Sequence, residues 1–203
     1  MRKGVFKTLS EEKIRSFIAI EITNETVKTD ILRFQKTILY TNADLKLVKT
    51  ENIHITLRFL GDITTTMVEK ISKELNKIQF QPFEVEFRDV GVFPNLKRIN
   101  VVWIGIKKGV KELTDLYNKI ESRLNTIGFR PETRGFRPHI TVARVRSTRN
   151  KNKLTKTIID MQNCVFGSLV VDSIQLKKSI LMPKGPQYFI LLEVKGIKKN
   201  KIL

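Results

Sequence analysis

The chain has two histidines, and each opens the same tripeptide: His54-Ile55-Thr56 and His139-Ile140-Thr141. A single strand histidine is most often structural. Both histidines of a chain in one identical context point instead to shared chemistry. An imidazole gives or takes a proton near neutral pH, so a facing pair supplies an acid and a base in one turnover. Two threonine hydroxyls can donate hydrogen bonds to the non-bridging oxygens of a phosphoryl centre. Such a set calls for no metal, and two histidines lacking carboxylate or cysteine partners make a poor zinc site. With no P-loop, Rossmann glycine pattern or Gly-x-Ser-x-Gly, nucleoside-triphosphate, dinucleotide and serine-hydrolase chemistry have no support.

Strands must carry these tripeptides. Side chains alternate along a strand, so His54 and Thr56 share one face while Ile53, Ile55, Leu57 and Phe59 take the other. In the second copy His139, Thr141 and Ala143 share a face opposite Ile140 and Val142. By that count Arg144 lies away from His139 and is expected to be structural. Two such strands side by side about a local twofold would set their His–Thr pairs across a groove. The remaining pattern predicts strands at 15–22, 45–48, 53–60, 83–92, 99–106, 140–145, 169–176 and 187–194. Gly61-Asp62 is expected to stop the third of these. Helices are predicted at 23–40, 64–78, 110–127 and 154–159. Phe93-Pro94-Asn95 reads as a turn, Trp103 as core, and Cys164 as a buried small apolar residue. Closely spaced strand pairs favour antiparallel pairing in an α+β fold. Residues 1–14 read as an N-terminal extension and 15–203 as one domain, since no Gly-, Pro- or Ser-rich linker divides the chain.

The 203 residues suit one core or two small lobes. The net charge of +18 favours a polyanionic partner. Its distribution adds weight: residues 130–153 hold eight basic side chains against one acid, Glu132. No apolar run approaches the ~20 residues of a membrane helix, the first nine residues lack a signal peptide's apolar stretch, and a lone cysteine, Cys164, forms no intrachain disulfide. A cytoplasmic monomer is the simplest expectation.

At the two tripeptides the sequence resembles the 2H phosphoesterase superfamily, and within it the LigT-like RNA 2′,3′-cyclic phosphodiesterases, also called 2′-5′ RNA ligases. The residues that carry the resemblance are Glu51-Asn52-Ile53-His54-Ile55-Thr56-Leu57-Arg58-Phe59-Leu60-Gly61 and Arg134-Gly135-Phe136-Arg137-Pro138-His139-Ile140-Thr141-Val142-Ala143-Arg144. Residues 16–22, Val92-Phe93-Pro94, Ser179 and Gly185-Pro186-Gln187-Tyr188 resemble the family's first strand, central hairpin and last loop and strand. The resemblance implies two pseudo-symmetric lobes with antiparallel sheets around a central cleft, helices outside. It further implies hydrolysis of a terminal 2′,3′-cyclic phosphate on RNA to a 2′-phosphate, without cofactor or metal, with His54 as proton donor, His139 as proton acceptor, and Thr56 and Thr141 holding the phosphoryl oxygens. A 5′-hydroxyl in place of water would join RNA through a 2′-5′ linkage without ATP. Arg134 and Arg137 are candidates to clamp neighbouring phosphates. Tyr188 and Phe59 are candidates to stack on a base, against the commoner role of strand aromatics in a core. RNA with a cyclic-phosphate end, tRNA fragments included, is the expected partner. Another cyclic phosphate, a 2′-5′ oligonucleotide, or a non-catalytic RNA-binding module are the competing readings.

Overall fold

The computed structural model describes residues 12–133, 135–183 and 185–197. Nine strands and four α-helices follow one another as β1 (Lys13–Glu21), α1 (Glu25–Leu39), β2 (Leu45–Leu47), β3 (His54–Thr64), α2 (Thr65–Leu75), β4 (Phe83–Asn95), β5 (Arg98–Lys108), α3 (Val110–Asn125), β6 (His139–Val145), α4 (Lys151–Asp160), β7 (Val165–Val171), β8 (Ser173–Met182) and β9 (Gly185–Lys195). Every strand pair is antiparallel. The spatial order is β7-β4-β5-β6-β3-β1-β8-β9, with β2 added beside β6. The order is symmetric about the β6–β3 junction, giving two four-stranded lobes.

The connection from β7 to β8 shows how the sheet is shaped. β7 ends one side of the path and β8 lies one strand from the other end, yet only Asp172 separates them in the chain. Two peptide units span about 7 Å at most, so the sheet must curl until its ends approach. The sequence pattern reads 169–176 as one strand because apolar residues run on through the break without Gly or Pro. The structure corrects this to two strands in different lobes.

Local chemistry starts the helices. Asn24 caps α1 by accepting from the Thr26 and Val27 amides at 2.9 and 3.3 Å. Behind that cap Val27, Ile31, Phe34 and Ile38 recur at helical spacing and are buried. In α3 the buried face is Leu113, Leu116, Tyr117, Ile120 and Leu124. Cys164 packs partly buried against the core. None of the described helices is long and apolar enough to cross a membrane.

Two of the other boundaries that differ from the sequence reading bear on the site. Gly61-Asp62 does not stop β3, which continues to Thr64. Leu60 is an extra residue there, since Ser16 pairs with Gly61 and Phe17 with Phe59. Gly61 takes up the bulge with φ of +74°, a conformation glycine adopts at little cost. Phe93-Pro94-Asn95 is not the turn: all three continue β4, and Leu96-Lys97 reverse the chain. Proline is tolerated in a strand where its missing N–H leaves no ladder bond unmade.

Candidate active site

The two His-Ile-Thr strands meet at one residue pair. β3 and β6 are bridged through Ile55 and Ile140, each wholly buried. In an antiparallel pair that register sets His54 across from Thr141 and Thr56 across from His139. The two repeats are therefore related by a local twofold through the central isoleucines. All four polar side chains line one cleft of about 570 Å³. Neither threonine hydroxyl bonds to another described side chain or carbonyl, which leaves both for a ligand.

Each imidazole is held in the same way. His54 Nδ1 lies 2.7 Å from the Asn52 carbonyl oxygen, and His139 Nδ1 lies 2.7 Å from the Arg137 carbonyl oxygen. A carbonyl only accepts, so Nδ1 carries the proton and Nε2 of the neutral ring is the free acceptor. Asn52 also donates from Nδ2 to the Pro186 carbonyl at 2.8 Å, tying the start of β9 to the His54 loop. Aromatic rings flank both sites. Phe17 and Tyr188 sit 5.0 and 5.5 Å from the His54 ring. Phe93 and Trp103 sit 5.0 and 6.4 Å from the His139 ring.

These surroundings favour the neutral form of both imidazoles. His54 is pushed down to about 4, chiefly by burial, with the Lys177 and His139 charges adding to the effect and the Asn52 bond opposing it. Lys177 is itself buried and donates to Glu21 Oε2 at 3.1 Å. His139 is also lowered, first by burial, with Arg144 adding and the Arg137 bond opposing.

A bulge repeated in both motifs changes which side chains join them. On β1, Ile18 pairs with Arg58 and Ala19 with Thr56, so Leu57 is an extra residue. On β5, Val102 pairs with Ala143 and Trp103 with Thr141, so Val142 is the matching extra residue. Each bulge inverts the alternation after it. Phe59 and Arg144, both five residues beyond the histidine, swing onto the cleft face. Phe59 is 62% exposed and lines the cleft with Arg144. This corrects three expectations at once: Phe59 is not on the apolar face, Arg144 is not structural, and Ala143 is wholly buried instead of sharing a face with His139.

Arg58 turns inward in consequence. The residue is 8% exposed, and its guanidinium lies 2.8 Å from Glu121 and 2.5 Å from Glu132. It also donates to the Arg130 carbonyl at 2.7 Å. The segment leading into the second motif is thus pinned to the first. Tyr117 stacked on Phe136 at 4.5 Å pins it again.

Tyr188 lines the cleft. Arg137 has an exposed side chain outside the cleft lining, and reaches the site through its carbonyl. Arg134 lies outside the described residues. Trp103 is half-buried against His139 and not a core residue. Lys46 and Lys49 also line the cleft; β2 was legible, but nothing local in it signals a partner strand a hundred residues away. Among the described residues no three His, Cys, Asp or Glu side chains gather as a metal site.

The seat of His139 depends on Gly91. A Cβ there would stand 2.2 Å from the Trp103 ring. Gly91→Ala is expected to destabilise the fold by about 1–3 kcal/mol through overpacking. It should also shift the emission of Trp103, the chain's sole tryptophan; denaturant titration followed by fluorescence checks both.

A curled two-lobe sheet with a His-x-Thr pair on each central strand defines a 2H phosphoesterase site. The LigT-like phosphoesterase family matches twice in tandem, over residues 20–103 and 104–188, each match holding one His-Ile-Thr motif. The RNA 2′,3′-cyclic phosphodiesterase of Aeropyrum pernix is 38% identical over 172 residues, 85% of this chain and 98% of that protein. That of Methanothermobacter thermautotrophicus is 37% identical over 178 residues, 87% and 95%. The fold is shared with Escherichia coli LigT complexed with 3′-AMP, at a TM-score of 0.75 and 24% identity over 91% of this chain and 99% of that one. The chain belongs to the LigT-like phosphoesterase family.

Proposed function

We propose that this protein is an RNA 2′,3′-cyclic phosphodiesterase, as its curated relatives are named. The observation that carries the reading is the crossed pair of His–Thr dyads, each Nδ1 fixed by a carbonyl and each Nε2 left toward the cleft. Water attacks phosphorus in line with the P–O3′ bond. His139 Nε2 takes the water's proton, and His54 Nε2 delivers one to O3′ as that bond breaks. The product carries a 2′-phosphate and a free 3′-hydroxyl. Thr56 and Thr141 donate to the non-bridging oxygens, where charge builds up. A 5′-hydroxyl replacing water leads to a 2′-5′ linkage by the same proton transfers. Tyr188 and Phe59 supply rings for the terminal base, and Arg134, Arg137 and Arg144 supply charge for phosphates. The protein acts as a cytoplasmic monomer, with cleaved tRNA ends among its candidate substrates.

An RNA ending in 2′,3′-cyclic phosphate, incubated with the protein in EDTA, is expected to yield a 2′-phosphate. Tight binding with no turnover would favour a binding module, and turnover lost with EDTA would defeat the metal-free mechanism.

The pH dependence follows from the site. The competent protein carries one added proton on the imidazole pair, held at His54 Nε2 while His139 is neutral. It is lost on the acid side when both are protonated, near the lower value of about 4. It is lost on the alkaline side when both are neutral, and His139 lies below its ordinary 6.5. The bell in kcat/KM therefore has both limbs below 6.5, falling about tenfold per pH unit above it. An alkaline limb at or above pH 7.5 would contradict this placement.

A further inference from the structure

The cleft is chemically divided. Phe17, Phe59, Leu181 and Tyr188 line it on the β3–β1–β8–β9 side, where Arg15 is the one cation among the described lining residues; Lys46, Lys49 and Arg144 line it on the β2–β6 side. An RNA whose terminal nucleotide occupies the cleft has to lead the rest of its chain out. The basic wall is the side suited to a phosphate backbone.

That wall does not end at the cleft. Beyond Arg144, Val145 at the end of β6 and Arg146 just past it line a second groove of about 200 Å³ between the β4–β5 turn and the start of α4. Lys97, Arg98, Arg149 and Lys151 line it too, and no carboxylate does. Arg144 and Arg146 fall on the same side of the chain by alternation, about 7 Å apart, on the order of one backbone step of an extended nucleotide strand. The Arg146 amide bonds to the Asp44 carbonyl at 2.9 Å, extending the β2–β6 ladder and keeping the path continuous.

The cations of this groove, unlike some on the surface, have no carboxylate partner among the described residues. Lys28, Arg33 and Lys108 each pair with a carboxylate. Arg98 and Arg146 are exposed and form no ion pair with a described residue. Arg149 Nε donates to the Asn42 carbonyl at 3.1 Å, and Lys151 Nζ to the Lys97 carbonyl. Those contacts fix the rim and leave the positive charge uncompensated. Like charges gathered without counter-charges repel, and an external polyanion relieves the repulsion.

We propose that the strand upstream of the cyclic-phosphate end leaves the cleft past Arg144 and lies in this second groove, where Arg98 and Arg146 hold backbone phosphates. The proposal rests on the RNA phosphodiesterase reading above and adds to it that the substrate is an oligonucleotide gripped beyond its terminal residue. Contacts to phosphates carry no sequence preference, so the grip is on length and not on sequence.

The test compares the unmutated protein with Arg98→Gln/Arg146→Gln. Two RNAs are used, a dinucleotide and a ten-nucleotide strand, both ending in 2′,3′-cyclic phosphate. Turnover of each is measured, along with anisotropy binding of the labelled ten-mer across a salt series. The double variant is expected to bind the ten-mer at least tenfold more weakly and to turn over the dinucleotide at the unmutated rate. The slope of log K against log salt should flatten by about 1.4, roughly 0.7 for each of two lost single-strand phosphate contacts. Equal ten-mer affinity and slope in both proteins would overturn the proposal. Should the unmutated protein turn over neither RNA yet show the expected binding differences, the groove stands and the phosphodiesterase reading falls. Thermal melting and dinucleotide turnover report on the fold of the double variant. If it melts early, the single variants Arg98→Gln and Arg146→Gln decide, each expected to flatten the slope by about half as much.

Discussion

His54→Ala and His139→Ala are each expected to lower kcat on a cyclic-phosphate RNA by about 100- to 10,000-fold, the usual worth of a positioned general acid or base. The geometry makes the losses similar. Each ring is fixed through Nδ1 by the carbonyl two residues before it at 2.7 Å, and each faces the other repeat's threonine across the Ile55–Ile140 pair. Affinity for the RNA should change little, because the phosphate contacts lie with the threonines and the cationic wall. The double variant should be about as slow as either single one, since residues that act as a unit are not additive. Single-turnover rates with saturating protein separate this loss in chemistry from any loss in binding.

Arg58→Met is expected to have the largest effect on stability. A buried guanidinium removed from beside carboxylates leaves them buried and unpaired, which costs about 3–5 kcal/mol. Glu132 is partly exposed, so about 3 kcal/mol is the appropriate end of that range, or roughly 6–12 °C in Tm for a chain of this size. The pH dependence has a definite sign. Burial already raises Glu121 above its ordinary 4.5, with Arg58 opposing that shift. Without Arg58 the carboxyl rises further, so the folded state binds more protons than the unfolded one. The stability deficit then grows as pH climbs from about 4.5. Melting at pH 5 and pH 8 checks this. Adding Glu121→Gln to Arg58→Met should recover part of the loss at pH 8 and little at pH 5. A deficit independent of pH would show that packing, and not charge, is what Arg58 supplies.

The residues most legible in sequence were those whose chemistry is carried by type and short spacing. His54, Thr56, His139 and Thr141 form a repeated tripeptide, and period-two alternation alone was enough to give each His–Thr pair a common face. The helices were legible because their apolar faces are regular and, in α1, because Asn24 marks the start. What was missed shares one physical origin. A β-bulge adds a residue that only the partner strand reveals, and everything beyond it changes face. Phe59, Arg144 and Ala143 were all assigned by unbroken alternation, and all three were inverted by the extra residues Leu57 and Val142. A signal was present in retrospect: a charged Arg58 directly follows Leu57 in an otherwise apolar run, and Arg144 directly follows Ala143. Trp103 and Phe93 were missed differently. They come from the β4–β5 hairpin, and only the β5–β6 register brings them beside His139. The Asp172 break was hidden because strand direction is set by which lobe each half joins, a long-range property.

The division of labour between the two imidazoles is the central claim, and one substrate tests it. A cyclic phosphorothiolate with sulfur in the 3′ bridging position expels a thiolate, a far better leaving group than an alkoxide, so its departure needs little help from an acid. Turnover of this substrate is measured with His54→Ala and His139→Ala beside the unmutated protein. His54→Ala is expected to recover most of its lost rate, while His139→Ala stays slow because water activation is still required. Recovery by His139→Ala alone would exchange the two roles. Equal recovery by both variants, or by neither, would contradict a mechanism in which one histidine gives a proton while the other takes one.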